Sequence, residues 1–174
     1  MAGRRIQVQV FPAFRRQLSV PWLRRVAEQA LVQGQSLAAN GYDKSPRYHS
    51  LSLAIADDET VRGLNHSYRG LDETTDVLAF AFDHPGQYEG DGPPPTLAAP
   101  EGFVIAGQDS GFAGEVVVSY PQCERQAGEH SHTTGEEMAL LITHGVLHLL
   151  GHDHADPSEE REMQALEQTI LASL

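Results

Sequence analysis

Three histidines near residue 150 are spaced as ligands for one metal ion. His144 and His148 are four residues apart, so on a helix they lie on the same face, one turn from each other. Gly151 follows where a helix is expected to end at positive φ, and the chain can then turn back to bring His154 to the same ion. Three imidazoles with one open position are typical of a catalytic zinc site, because structural sites usually fill all four positions. The spacing therefore predicts one zinc ion per chain.

A histidine pair at this spacing can also be packed or face solvent without binding metal. The surrounding sequence favours the metal, because apolar residues cover nearly the whole circumference of the helix and predict its burial: Leu140, Leu141, Ile142, Val146, Leu147, Leu149 and Leu150. Imidazoles without partners are costly to bury, and a metal ion would satisfy them. Zinc on three neutral imidazoles would lower the pKa of a bound water from about 15.7 toward about 7.

Four stretches together resemble one known family. His-Gly-x-Leu-His-Leu-x-Gly-x-Asp-His at 144–154 resembles the signature of the YbeY family, bacterial single-domain metal-dependent endoribonucleases. Leu-Asn-His-Ser-Tyr-Arg at 64–69 and Thr-Asp-Val-Leu-Ala-Phe at 75–80 resemble a second block, with Ala79 where serine is usual. Gly-Glu-Val-Val-Val at 114–118 resembles a third block, with Glu115 in place of aspartate. The resemblance spans about residues 50–160.

The resemblance implies a function that the residues alone do not show. It implies a single-strand-specific endoribonuclease involved in maturation of ribosomal RNA, especially at the 3′ end of the small-subunit RNA, and in ribosome quality control. The implied partners are a ribosomal RNA precursor and components of the small ribosomal subunit, and neither DNA nor a membrane is expected. The sequence identifies no general base and does not decide the cleavage products.

Arg69 is the candidate catalytic residue beyond the ligands. It is one of only four basic residues after position 50, and a guanidinium near a metal can hold a phosphate through two hydrogen bonds. A surface ion pair with Asp72 or Glu73 is the alternative that the residues alone leave open. The resemblance favours the phosphate role, because the matching arginine of the family is important for activity.

A peptidase is the main alternative enzyme. The histidines also resemble the zincin protease motif His-Glu-x-x-His-x-x-Gly-x-x-His, but Gly145 stands where that motif has its general-base glutamate. Peptide hydrolysis would then lack its usual proton acceptor. Two alternatives remain: a zinc metallohydrolase acting on peptides or small molecules, and a ribosome-associated binding protein with a structural metal.

Length predicts a single domain over 1–174, and the histidine motif and the resemblance imply that it is a metal-dependent hydrolase domain. The single cysteine, Cys123, excludes an internal disulfide and a cysteine-based zinc cage. The first twenty residues contain arginines and no apolar run, and no stretch is long enough to cross a bilayer, so a soluble cytoplasmic protein is expected.

The net charge of −12 would not by itself suggest an RNA-binding protein. The charge is uneven, however, because residues 1–50 carry eight Arg and Lys against two acids, whereas 51–174 carry four against twenty-two. The N-terminal part is therefore a candidate phosphate-binding face, and a solvated basic helix is the alternative.

The hydrophobic pattern predicts the order β-α-β-α-β-β-α-α-α and an α+β fold. In this fold a small mixed sheet of about four strands packs with about five helices, and the metal-binding helix is central. Strands are expected at 5–10, 48–56, 77–82 and 114–120, with an irregular Gly/Pro-rich loop at about 83–111. Helices are expected at 22–33 with Gly34 as the stop, from Asp57 or Asp58 to Arg69, from Pro121, through the metal-ligand segment, and at 157–174.

A capping box, Thr134-x-x-Glu137, is expected directly before the metal-ligand helix. Three further ionisable residues flank this helix: His130, His132 and Asp153. His130 and His132 precede it and are interpreted as surface residues rather than ligands. Asp153 either orients a ligand imidazole or shapes the turn and helix start.

Overall fold

Four strands form one mixed sheet in the computed structural model, which describes residues 5–38, 48–82, 111–152 and 156–174. The strands are β1 (Arg5–Val10), β2 (Ser50–Ala56), β3 (Val77–Ala81) and β4 (Phe112–Ser119), in the spatial order β1-β2-β4-β3. Strands β1, β2 and β4 are parallel, and β3 runs antiparallel to β4 at one edge.

Within the described residues, five α-helices complete this α+β fold: α1 (Val20–Ala38), α2 (Asp58–Arg69), α3 (Tyr120–His130), α4 (Thr134–Leu149) and α5 (Pro157–Leu171). The predicted element order and fold class are confirmed, with an additional short 3-10 helix at Pro12–Phe14. In the described ranges no helix is both long and apolar enough to cross a membrane.

The sheet is covered on both faces. The larger core joins one face to α1, α3, α4 and α5, and includes Val116 and Val118 of β4. The smaller core joins the other face to α2, and includes Val117 together with Leu78 of β3. Because successive side chains of a strand point to opposite faces, the valine run of β4 is buried on both sides, as its sequence predicted. Helix α4 contacts α1, α3, α5, β3 and β4, so its predicted central position is confirmed.

Two glycines let α4 approach its neighbours closely. A Cβ atom at Gly145 would lie 2.6 Å from Cγ1 of Val116 and 3.1 Å from Cγ2 of Val77. A Cβ atom at Gly34 of α1 would lie 2.7 Å from Cδ1 of Leu150. The expectation that Gly34 ends its helix was therefore wrong: α1 continues to Ala38, and Gly34 is an interior position where α1 packs against the end of α4.

The capping interactions confirm one expected helix start and correct another. Asp57 caps α2 as expected, because its carboxylate accepts a hydrogen bond from the backbone N–H of Thr60. The box that begins α4 lies one residue earlier than expected. Thr133 accepts from the backbone N–H of Glu136, and the Glu136 carboxylate accepts from the backbone N–H of Thr133. Glu137 is therefore not part of the cap, and its side chain is buried.

The remaining boundaries differ from expectation by a few residues at the ends. Helix α5 ends at Leu171 instead of 174, β2 begins at Ser50 instead of 48, and β4 is shifted to begin at Phe112. The expected irregular loop lies outside the described residues except for Gly111, whose carbonyl accepts from the backbone N–H groups of His49 and Ser50.

We predict that Gly145→Ala destabilises the fold whereas Gly63→Ala does not. The added methyl group at position 145 collides with Val116, which should lower the free energy of unfolding by about 1–3 kcal/mol. Gly63 in α2 has open space around the corresponding position, so alanine there should raise stability by about 0.5–1 kcal/mol through helix propensity. Urea unfolding of the metal-free proteins measures both, and equal effects of the two substitutions would contradict the close packing of α4.

Candidate metal centre

His144 and His148 converge on one point, as their spacing predicted. Their Nε2 atoms are 3.1 Å apart, and the ring centroids lie 4.6 Å apart with the planes inclined at 76°. Two imidazole nitrogens bound to one tetrahedral zinc at 2.0–2.1 Å would be separated by about 3.4 Å. The observed donor atoms therefore fit a zinc ion with little adjustment.

Glu167 of α5 holds the other nitrogen of one candidate ligand. Its Oε1 lies 2.7 Å from Nδ1 of His144, and only 12% of the Glu167 side chain is exposed. A carboxylate at Nδ1 favours the tautomer in which Nδ1–H donates to Glu167 and Nε2 keeps its lone pair for a metal. Glu167 therefore positions His144 in the ring orientation that coordination requires.

The sequence analysis missed Glu167, although the sequence contains a signal for it. Glu167 lies four residues after Met163 and one after Leu166, on the side of α5 that faces the core. A carboxylate on the apolar side of an amphipathic helix needs a partner, because burying a charge without one is costly.

The end of α4 has the expected glycine turn. Gly151 has φ of 88°, its N–H donates to the carbonyl of His148, and the N–H of His152 donates to the carbonyl of Leu147. These two bonds form a Schellman motif, which ends a helix and turns the chain back. His154 and Asp153 lie outside the described residues, so the third ligand and the role of Asp153 remain predictions.

Arg69 lies at the C-terminal end of α2, beside the edge strand β3. The neighbouring Tyr68 ring packs against Phe80 of β3 with centroids 4.9 Å apart. Alternate residues of β3 face α2 on one side and the α4 core on the other, so both helices pack against this strand. Asp72, one of the two alternative partners that the sequence left open for Arg69, accepts hydrogen bonds from Arg62 at 2.7 and 3.0 Å.

A buried ionisable carboxyl group lies near Tyr68. Glu115 of β4 is the cross-strand neighbour of Phe80, and burial raises the pKa of Glu115 to about 7. Burial and then the negative charge of Glu115 raise the pKa of Tyr68 above its usual value. A carboxyl group with this pKa exchanges protons near neutrality, a property that the sequence alone did not reveal.

The start of α4 contains a further group of metal-ligating side chains. His130 and His132 are exposed, as predicted, but their rings gather at the buried carboxylate of Glu137. One ligand atom from each residue lies within 4.8 Å of the others, which makes these residues a candidate metal-binding triad. The sequence analysis missed this cluster, because it assigned Glu137 to the helix cap.

Comparisons with known proteins identify relatives of the chain. The model of the family described as Endoribonuclease YbeY matches residues 17–174. A protein named Endoribonuclease YbeY from Dehalococcoides mccartyi is 38% identical over 160 residues, which cover 92% of this chain and 90% of that protein. One of the same name from Halalkalibacterium halodurans is 40% identical over 147 residues, covering 84% and 86%.

A solved structure supports the fold. The solution structure of TM1509 from Thermotoga maritima has a TM-score of 0.54 and 19% identity, and the match covers 95% of this chain and 86% of that one. This likeness concerns the fold alone.

We predict that Glu167→Gln weakens zinc binding by about 10–100-fold, because loss of a carboxylate partner reduces the basicity and fixed orientation of His144. A chromophoric chelator in competition with the protein measures the affinity. Glu160→Gln, an exposed substitution on the same helix, is the matched control and should leave the affinity unchanged. Equal affinities for all three proteins would show that the Glu167–His144 contact does not serve metal binding.

We predict that Glu115→Gln gains stability relative to the parent as pH rises. The pKa of Glu115 in the folded parent, about 7, lies above the usual 4.5. Between these pH values the folded protein binds more protons than the unfolded chain, so the free energy of unfolding of the parent falls as the pH rises. The advantage of glutamine at pH 8 should be about 1–2 kcal/mol, allowing for partial exposure of the carboxyl to solvent, and should disappear near pH 4. Urea unfolding across this range measures it, and a difference independent of pH would contradict it.

Proposed function

The chain belongs to the Endoribonuclease YbeY family, and from this membership we propose that it is a single-strand-specific, zinc-dependent endoribonuclease acting on ribosomal RNA precursors. The observation that carries the proposal is the convergence of the His144 and His148 Nε2 atoms, with Glu167 on the far nitrogen of His144. This arrangement supports a metal site in which a carboxylate orients one ligand in advance.

His144, His148 and His154 are the proposed ligands of one zinc ion per chain. The Schellman turn at Gly151 supports the third ligand, because it reverses the chain direction directly after the helix. Three protein ligands leave a coordination position for water or substrate. When bound, the metal supplies a Lewis acid that polarises a phosphoryl oxygen and activates water.

Arg69 is the proposed phosphate-binding residue. Its position at the end of α2, beside the strand against which α4 also packs, supports contact with a phosphate at the metal-side edge of the sheet. A guanidinium there would hold a non-bridging oxygen of the scissile phosphate and offset charge that develops during cleavage.

The basic N-terminal part is a proposed secondary contact for the RNA backbone. Arg15 and Arg24 donate to the carbonyls of Val10 and Ile6 on β1, and both arginines are exposed, as are Arg16 and Arg25. Arg15 and Arg24 therefore lie along β1, the edge of the sheet opposite β3. Contacts of this kind carry no sequence information and should weaken as the salt concentration rises.

The close packing at Gly145 and the family membership of the chain both disfavour the peptidase alternative. The position after the first histidine faces Val116 and Val77 at distances that leave no room for a glutamate side chain. A general base therefore cannot occupy the place it has in the protease motif. The proposal further includes a single hydrolase domain over 1–174, cytoplasmic location and association with components of the small ribosomal subunit.

We predict that His148→Ala abolishes RNA cleavage and that Arg69→Ala slows it strongly, for different reasons. The assay uses zinc-loaded protein and a ribosomal RNA precursor fragment spanning the 3′ end of the small-subunit sequence, in single-stranded and duplex form. His148→Ala should lose both zinc and activity. Arg69→Ala should keep zinc and lose about 100–1,000-fold in rate, as expected for removal of one group that stabilises the transition state.

The controls are exposed residues of the same types. Arg125→Ala removes an ion pair with Asp58 at the opposite end of α2, about 16 Å from Arg69 by the helix rise, and His66→Ala removes an exposed histidine. Both should cleave like the parent. Cleavage by all five proteins at one rate would indicate a contaminating nuclease, and a zinc-loaded parent that is inert on RNA would favour the binding-protein alternative.

A further inference from the structure

The junction between α3 and α4 holds a second set of metal-ligating side chains. His130 is the last residue of α3, His132 lies in the connection, and Glu137 is in the first turns of α4. Oε2 of Glu137 lies 2.9 Å from Nδ1 of His132 and 3.5 Å from Nδ1 of His130. Both imidazoles therefore present the same ring nitrogen to a single carboxylate oxygen.

The carboxylate of this cluster is buried and its two imidazoles are open to solvent, so an ion could reach all three side chains. Only 2% of the Glu137 side chain is exposed, whereas the side chains of His130 and His132 are 53% and 45% exposed. The carboxylate thus forms the floor and the imidazoles form the rim. A bound cation would neutralise the buried charge, and water would complete its coordination from the open side.

The backbone is bent to bring the two imidazoles together. Ser131 has φ of 59°, the only positive φ at a non-glycine residue in the ranges 5–38, 48–82, 111–152 and 156–174. This left-handed conformation is unfavourable for a residue with a side chain. It lets the N–H of His132 donate to the carbonyl of Ala127 and places the two rings 5.8 Å apart at 61°.

We propose that His130, His132 and Glu137 form a second divalent-cation site, distinct from the His144–His148 centre, that takes zinc and links the end of α3 to the start of α4. Two imidazoles and one carboxylate are a common zinc ligand set. Tetrahedral coordination places ligand atoms about 3.4 Å apart, close to the 3.5 Å separation at His130, whereas the 2.9 Å separation at His132 would lengthen when the ion binds. His130 also lies at the C-terminal end of α3, where the helix dipole favours a cation.

The second site is too far from the first to form a two-metal centre with it. Glu137 and His144 are seven residues apart on one helix, which corresponds to about 10 Å along the axis. Metal pairs that act together on one phosphate are about 3.5–4 Å apart. The site therefore fixes the arrangement of two helices, and the proposal does not rest on the nuclease assignment.

The first test is the zinc stoichiometry of the full chain after equilibrium dialysis, measured by elemental analysis. The parent and His66→Ala should each bind two zinc ions. The double variant His144→Ala/His148→Ala should bind one, His130→Ala/His132→Ala should bind one, and the protein with all four substitutions should bind none. The exposed rim histidines are chosen because their replacement should not prevent folding.

The outcomes separate the two sites. A parent with one zinc ion that His130→Ala/His132→Ala retains would overturn the second site. Zinc that is lost with His130→Ala/His132→Ala but unaffected by His144→Ala/His148→Ala would support the second site and overturn the metal centre of the proposed function.

The second test measures the link between the helices in the His144→Ala/His148→Ala protein. Zinc at about 100 times its Kd should raise the Tm by about 5–10 °C, because only the folded state presents the site. Adding Glu137→Gln, or His130→Ala with His132→Ala, should remove this rise. A rise that survives both sets of substitutions would overturn the proposal, and so would the absence of a rise in the protein with an intact triad.

Discussion

The close contact between α4 and the sheet is the constraint on which the geometry of the His144–His148 pair depends. Successive residues of a helix are rotated by about 100°, so with Gly145 against Val116 the side chains of His144 and His148 lie about 100° and about 60° around the helix, both on the same side of the sheet-facing line. On this side His144 contacts α5, where the Glu167 carboxylate meets Nδ1 of His144. A glycine thus sets the direction of two side chains that are candidate metal ligands.

The environment of the histidine pair is more open than the apolar sequence around it suggests. That sequence predicts a helix buried on all sides, yet His144 is 31% exposed while Ile142 and Val146 are fully buried. One strip of α4 is therefore accessible, and this strip carries the donor atoms. The pair also lies near the C-terminal end of the helix, where the dipole favours a bound cation. Packing rigidity and solvent access are thus provided by different sides of one helix.

The sequence predicted the features that neighbouring residues determine, and it missed the roles that come from contacts between residues far apart in the chain. Strand alternation, the Asp57 cap and the turn at Gly151 are local and were found. The role of Glu167 was missed and that of Gly34 was misassigned, because both roles come from contacts with α4, which is far from each residue in the chain. The capping box failed for another reason: Thr133 and Thr134 each have a glutamate three residues later, so the pattern fits two registers. Only the packing decides which glutamate is buried, and the metal-ligating cluster at Glu137 depends on that choice.

The position of Glu167 in the last helix has a consequence for protein synthesis. Chains are made from the N-terminus, and compact structure forms as residues become available. A nascent chain contains His144 and His148 before α5 has been made, so for that interval the carboxylate that orients His144 does not exist. The ordered histidine pair is thus a property of the completed polypeptide. A chain whose translation stops before α5 would keep the recognition motif and lack the contact that prepares it for metal.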